Sequence, residues 1–287
     1  MTTEDNKREH RRSLMKFLAL SPFFALPSLS QELRPALLDD PLITKASQAL
    51  NVFDFRKVAQ AKLSTAHFGY LETGVLDDWT LLANEKAFRK VKLRMRRLLD
   101  MSDVDPSASL FGESWTSPIM LCPCGSQKAF HADGEIATAR AAKTTNSLQM
   151  LSTMSTSSIE EVTAAKGSPV WFQLYPSKHW EDTIAMVERA EKSGSKVIVL
   201  TVDSNYQDRR ETYLRAARLD GGNCQTCHGQ RNATNYVRNK PMIRELSQPF
   251  RLQVPLTWDF VKQLREATSL KLILKGIVSG EDSRRAL

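Results

Sequence analysis

The sequence has no internal repeat, no low-complexity tract and no uninterrupted apolar run of membrane-spanning length. Without a fixed period there is no solenoid or propeller to consider. A span needs about 20 apolar residues, and the most apolar stretch, Phe17 to Leu29, is broken by Pro22 and Pro27. Cysteine and histidine are scarce, with four and five copies, so chemistry built on them has few places to sit. No nucleic-acid fold signature surrounds the basic residues either, and their densest run, Arg89-Lys90-Val91-Lys92-Leu93-Arg94-Met95-Arg96-Arg97, lacks interleaved aromatics. Nucleic acid is therefore set aside as a partner. A solvated face is one reading of that run, and a membrane surface or acidic partner is the other.

What is present is ordinary globular composition, 41% hydrophobic and 25% charged over 287 residues with a net charge of +8, enough for one large α/β domain with one core. Five continuous apolar runs read as strands buried on both faces: Pro118 to Cys124, Leu148 to Thr153, Val170 to Tyr175, Val197 to Asp203 and Leu270 to Lys275. Helix signals lie between most of them. Gly134 to Lys143 is alanine-rich, Ser157 with Glu160 forms a capping box, and Asp182 to Ser193 stops at Gly194. Before the last strand, Leu256 and Val261 frame a cap at Thr257. Alternating strand and helix predicts a parallel sheet with right-handed crossovers. Polar and special residues gather at the C-terminal strand ends, which form the active face of a closed barrel of eight such units. Five units do not close one, and the sequence stops just after Lys275-Gly276, so an incomplete array is expected.

The N-terminal residues 1–30 form a separate object. Arg11-Arg12 precedes the weakly apolar stretch, and small residues follow at Ser28 and Ser30, which together resemble a twin-arginine export signal and imply a bacterial periplasmic location. An amphipathic N-terminus that happens to carry two arginines, in a cytoplasmic or membrane-associated protein, is the alternative. Residues 31–50 read as a linker and 51–287 as the folded α/β domain. Cys122 and Cys124, flanking Pro123, are expected to be packing residues at a strand end. Cys224-Gln225-Thr226-Cys227-His228 has the spacing of a c-type haem attachment site, with a disulfide, half a zinc site or chance as alternatives. This motif sits in residues 204–256, which show no convincing strand or long helix and read as a long active-face lid or insertion.

Several stretches, in order and at compatible spacing, resemble one family. They are Asp78-Trp79-Thr80-Leu81 with Asn84, Pro118-Ile119-Met120, Gly134 through Ala142, Ser155 through Val162, Phe172-Gln173-Leu174-Tyr175, Thr201-Val202-Asp203 and Lys275-Gly276 with Glu281-Asp282. On these residues the chain from 51 to 287 is similar to the FMN-dependent 2-hydroxy acid oxidases and dehydrogenases. The resemblance implies a TIM (β/α)8 barrel of which about the first five units are present. It also implies FMN as cofactor, a small L-2-hydroxy acid as substrate, and oxygen, quinone or cytochrome as electron acceptor. Haem at Cys224 and Cys227, ligated by His228, would favour the cytochrome route.

The resemblance assigns roles residue by residue. Pro123, Cys124 and Gly125 lie along the flavin, Ser152, Gln173 and Thr201 hydrogen-bond it, and Lys275 faces its N1/O2 edge. Tyr70, Tyr175 and Arg210 match the substrate site, where a guanidinium fork suits a carboxylate. Asp203 matches the carboxylate that orients the catalytic histidine, and Met154 falls at a variable pocket position. The histidine itself, a second arginine and the glycine-rich phosphate loops have no counterpart, since His10, His67, His131, His179 and His228 all fall elsewhere. The expectation is a family chain cut short by truncation, frameshift or a split gene and inactive alone. A haem-binding electron-transfer protein and a non-catalytic remnant are the alternatives.

Overall fold

The computed structural model describes residues 42–204, 209–220, 239–250 and 256–287. By contacts the chain divides into two units, Met1–Ala61 and Lys62–Leu287. In the first, a 3-10 turn at Ala46–Gln48 precedes helix α1, Asp54–Lys62, whose Asp54 carboxylate accepts from the amides of Leu50 (2.6 Å) and Asn51 (3.3 Å). Most of the leader and linker lies outside the described residues.

The second unit is built on five parallel strands in chain order, β3 Met120–Leu121, β4 Leu148–Ser152, β5 Trp171–Leu174, β6 Val197–Thr201 and β7 Lys271–Lys275. Between them run α4 Gly134–Thr145, α5 Ile159–Lys166, α6 Trp180–Lys192 and, before β7, α8 Trp258–Ala267. Unbroken spatial order separates this sheet from doubly wound folds, whose order reverses at a switch point. It is an arc of a (β/α)8 barrel. Side chains alternate between two packed faces. Leu151, Phe172, Leu174, Ile198 and Leu200 pack with Ile159, Val162, Met186, Ala190 and Leu264 of the helices. On the other face, Trp171, Val197 and Val199 pack with Leu148 and Trp115.

Trp115 comes from an antiparallel hairpin that the sequence reading missed, β1 Ala108–Leu110 with β2 Glu113–Trp115. It meets the N-terminal end of the sheet through an edge-on Trp115–Trp171 contact of 5.8 Å and a 3.0 Å bond from the Trp171 indole to Glu113.

Other expectations are corrected here. The first strand is two residues long rather than Pro118 to Cys124, and Cys122 is exposed, not packed. The capping box is Ser158 with Glu161, one residue later than expected: Ser158 Oγ accepts from the Glu161 amide, and Glu161 Oε2 accepts from the Ser158 amide. The cap at Thr257 is present. The long crossing is no bare loop. It contains helix α7, Glu211–Leu219, and residues 239–250 return to the core with Met242 and Ile243 buried. The remaining helices are α2 Thr65–Glu72, α3 Trp79–Ala87 and α9 Gly280–Ala286. No described helix is long and apolar enough to cross a membrane.

Candidate active face at the C-terminal strand ends

Because side chains alternate along a strand, the parity that directs Trp171, Val197 and Ile273 to the inner face also directs Gln173, Thr201 and Lys275 there, one layer higher. These end residues are polar, and the structure joins three of them. Ser152 Oγ donates to Gln173 Oε1 (2.9 Å), and Gln173 Nε2 donates to Thr201 Oγ1 (2.9 Å), all three being buried. Among the described residues this file leaves Gln173 one amide hydrogen and Thr201 its hydroxyl hydrogen to offer. Thr153, a polar strand-end residue, locks the same edge: its hydroxyl donates to Gln173 O (2.7 Å) and accepts from the Tyr175 amide (2.9 Å).

Lys275 continues the layer at the exposed end of β7, where its Nζ lies 4.0 Å from Asp203 Oδ2. Between them the backbone turns at Gly276 with φ of +114°, and a Cβ there would sit 2.7 Å from the Asp203 side chain. Only glycine admits both the turn and the carboxylate. No described histidine contacts Asp203.

Pro123, Cys124 and Gly125 follow β3 across the same face. Burial pushes the Cys124 thiol above its usual range; the Glu135 carboxylate adds to that rise and the Lys240 ammonium opposes it. Tyr70, from α2, stacks on Phe130 (6.1 Å between centroids) and meets Tyr213 edge-on (6.1 Å), while the Arg210 guanidinium lies 4.8 Å from its centroid.

Arg210 is more committed than expected. Its Nη2 donates to the carbonyls of Tyr70 (2.6 Å) and Thr73 (2.5 Å), and its Nε to that of Gly74 (3.4 Å). It therefore tethers the start of α7 to the end of α2. Among the described residues no acceptor is bonded to Nη1.

Burial pushes the Tyr70 phenol above its ordinary 10.0, Cys124 adds to the rise and Arg210 opposes it. Stability tied to the neutral phenol is therefore intact below about pH 10 and falls as pH climbs through the raised folded value. An Arg210→Met substitution removes the opposing cation, so the phenolate should form at still higher pH in an ultraviolet difference titration. A downward shift would contradict the arrangement.

Two charged residues without any exposure carry no role in the sequence reading. Glu135 in α4 has no exposure, and its carboxylate accepts from the amides of Gln127 (3.1 Å) and Thr156 (2.8 Å) and from the Thr156 hydroxyl (2.7 Å). Lys240, also without exposure, donates to Ser126 Oγ and to Met154 O (2.8 Å). Glu135 lies inside one of the family-like stretches, where no role is assigned to it; Lys240 carries no local signal. Met154 itself is buried in the core beside these groups. Cys224, Cys227 and His228 lie outside the described residues, and no cluster of metal-ligating side chains occurs among the described ones.

Known proteins are similar to this chain in sequence and fold. L-lactate oxidase of Nostoc sp. is 35% identical over 254 residues, covering 85% of this chain and 69% of its own length. Glycolate oxidase 1 of Oryza sativa subsp. indica is 34% identical over 249 residues, covering 83% and 64%. Among solved structures, mandelate oxidase superposes with a TM-score of 0.68 at 30% identity, covering 83% of this chain and 65% of that one. The chain thus spans roughly two thirds of the length of these relatives. The model of one family, described as FMN-dependent dehydrogenase, matches residues 59–287. With five parallel strands in barrel order and a polar layer at their C-terminal ends, a match of that extent means that the chain belongs to the FMN-dependent dehydrogenase family.

Proposed function

We propose that this chain supplies the flavin-ring and substrate-orienting part of an FMN-dependent enzyme that oxidises a small L-2-hydroxy acid to the 2-oxo acid. The observation that carries the reading is the buried file Ser152–Gln173–Thr201, which ends beside Lys275 at the active face. Its unused amide and hydroxyl hydrogens suit the carbonyl and nitrogen acceptors of a flavin edge, so the residues present fit the cofactor. FMN, when bound, supplies the two-electron sink that no side chain offers. Pro123, Cys124 and Gly125 provide the backbone against which a ring would lie.

The chain's own groups bind, orient and hold charge. Lys275 places a cation where negative charge would grow, a fixed electrostatic contribution that needs no rearrangement during reaction. The Nη1 edge of Arg210, with Tyr70 and Tyr175 nearby, suits a substrate carboxylate. Asp203 is suited to steady a protonated histidine. Among the described residues no histidine is bonded to Asp203, so those residues bind and orient the substrate and do not themselves supply the base for its α-proton. The relatives named for lactate, glycolate and mandelate support a 2-hydroxy acid as the substrate class.

Fluorescence titration with FMN tests this reading. Gln173→Leu strips the file of its centre and should weaken FMN binding by about tenfold or more; an unchanged affinity in the folded variant would overturn it. The motif Cys224-Gln225-Thr226-Cys227-His228 favours a second component, a c-type haem acting as electron acceptor in an exported protein. A pyridine haemochrome spectrum of protein made with a haem-attachment system decides that point.

A further inference from the structure

Residues 239–250 return from the long crossing to the core at a chemically specific place. Lys240 is fully buried there, and its ammonium donates to Ser126 Oγ and to Met154 O (2.8 Å). These two acceptors belong to different connections, Ser126 to the one after β3 and Met154 to the one after β4. The two connections already touch: the Ser126 amide donates to the same Met154 carbonyl (3.0 Å). A Cβ on Gly125 would lie 2.9 Å from Met154 Cβ, so the contact is tight at the residue before as well. Ser126 adopts a left-handed conformation, φ 59° and ψ 36°, which is uncommon for a residue with a side chain and persists where its surroundings hold it. The hydroxyl bond to Lys240 is one such hold. This turn aims Pro123, Cys124 and Gly125 across the strand ends before the chain enters the 3-10 turn Gln127–Ala129.

We propose that Lys240 is a positioning residue for the flavin-facing segment: its buried ammonium ties Ser126 to the Met154 carbonyl and so holds the backbone of Pro123 to Gly125 in the place a flavin ring requires. The inference rests on the proposed function for what the segment binds, but the tie is a property of the protein without flavin. Lys240 does not touch substrate and takes no part in proton transfer. A buried charged donor suits this task because its bonds are stronger than neutral ones and costly to leave unmade. The Cys124 thiol reports on it directly. That thiol faces Glu135 from α4, Tyr70 from α2, Cys122 on its own segment, and Lys240, the cation among them.

The test compares the full 287-residue chain with Lys240→Met, Lys240→Arg and Ser126→Ala. Without flavin, alkylation of Cys124 by iodoacetamide is followed against pH by mass spectrometry; FMN affinity is then measured by fluorescence quenching. Lys240→Met should move the Cys124 profile to higher pH, because the cation favouring thiolate is gone, and weaken FMN binding by about 10- to 100-fold. Lys240→Arg should restore most of both effects. Ser126→Ala keeps the cation, so it should leave the alkylation profile in place while still weakening FMN. A folded Lys240→Met protein with an unchanged Cys124 profile and unchanged FMN affinity overturns the proposal. If that variant does not fold, wild-type FMN affinity in Ser126→Ala overturns it instead. If the parent chain binds no FMN, the functional reading fails for this polypeptide, and the alkylation profile still decides the role of Lys240.

Discussion

Mixing the FMN-loaded 287-residue polypeptide with lactate, glycolate or mandelate under anaerobic stopped-flow conditions is expected to bleach the flavin about 10²- to 10⁴-fold more slowly than in a full-length family member. That range is the usual contribution of a positioned general base. The groups proposed for binding are present: the file Ser152–Gln173–Thr201 is buried and internally bonded, Lys275 stands at the end of β7, and among the described residues no acceptor is bonded to Arg210 Nη1. The described residues do not supply the base. Asp203, suited to orient one, has Lys275 Nζ at 4.0 Å and no described histidine in contact. Added imidazole should restore part of the rate if the defect is chemical, since a small base can enter an otherwise assembled site. Rapid bleaching without imidazole would show that another group in residues 1–287 removes the proton.

Replacing Glu135 by alanine should cost about 3–5 kcal/mol of stability in urea unfolding, the range seen when one partner of a buried charged network is removed. Glu135 is fully buried and satisfies three donors from two connections, the amides of Gln127 and Thr156 and the Thr156 hydroxyl. Alanine leaves all three without their acceptor, each at a desolvation cost of about 1–3 kcal/mol that relaxation and water offset only in part. Glutamine separates charge from geometry. Both amides bond to Oε1 of Glu135, which an amide oxygen reproduces, so Glu135→Gln should lose only about 1–2 kcal/mol. Equal losses for alanine and glutamine would mean that the negative charge, not the acceptor geometry, holds the two connections together.

The strands and their polar ends were readable in the sequence because a parallel sheet covered on both faces demands continuous apolar runs. Helix starts were readable only to within one or two residues. Ser157-Glu160 and Ser158-Glu161 have the same spacing, and the pattern alone does not choose between them; the structure selects Ser158, whose backbone is extended as a cap requires. The long crossing was misread for a different reason. Helix α7 is short and carries no recognised cap, and its Arg210 tether is to backbone carbonyls at Tyr70, Thr73 and Gly74, which no side-chain pattern announces. The β1–β2 hairpin escaped because its strands are three residues each.

By itself the sequence determined the five parallel strands and their order, and through the family resemblance it offered Tyr70, Ser152, Gln173, Tyr175, Thr201, Asp203, Arg210 and Lys275 as site candidates. Those follow from patterns a few residues long: apolar runs, caps, and motifs at fixed spacing. Tertiary structure alone decided that Gln173 bridges Ser152 and Thr201, residues 21 and 28 positions away, that Arg210 spends most of its donors on the chain, and that Lys240 is buried against the turn at Ser126. A polar or charged side chain can be buried only where partners wait for it. Those partners come from distant connections, and only the folded sheet brings them within hydrogen-bond reach.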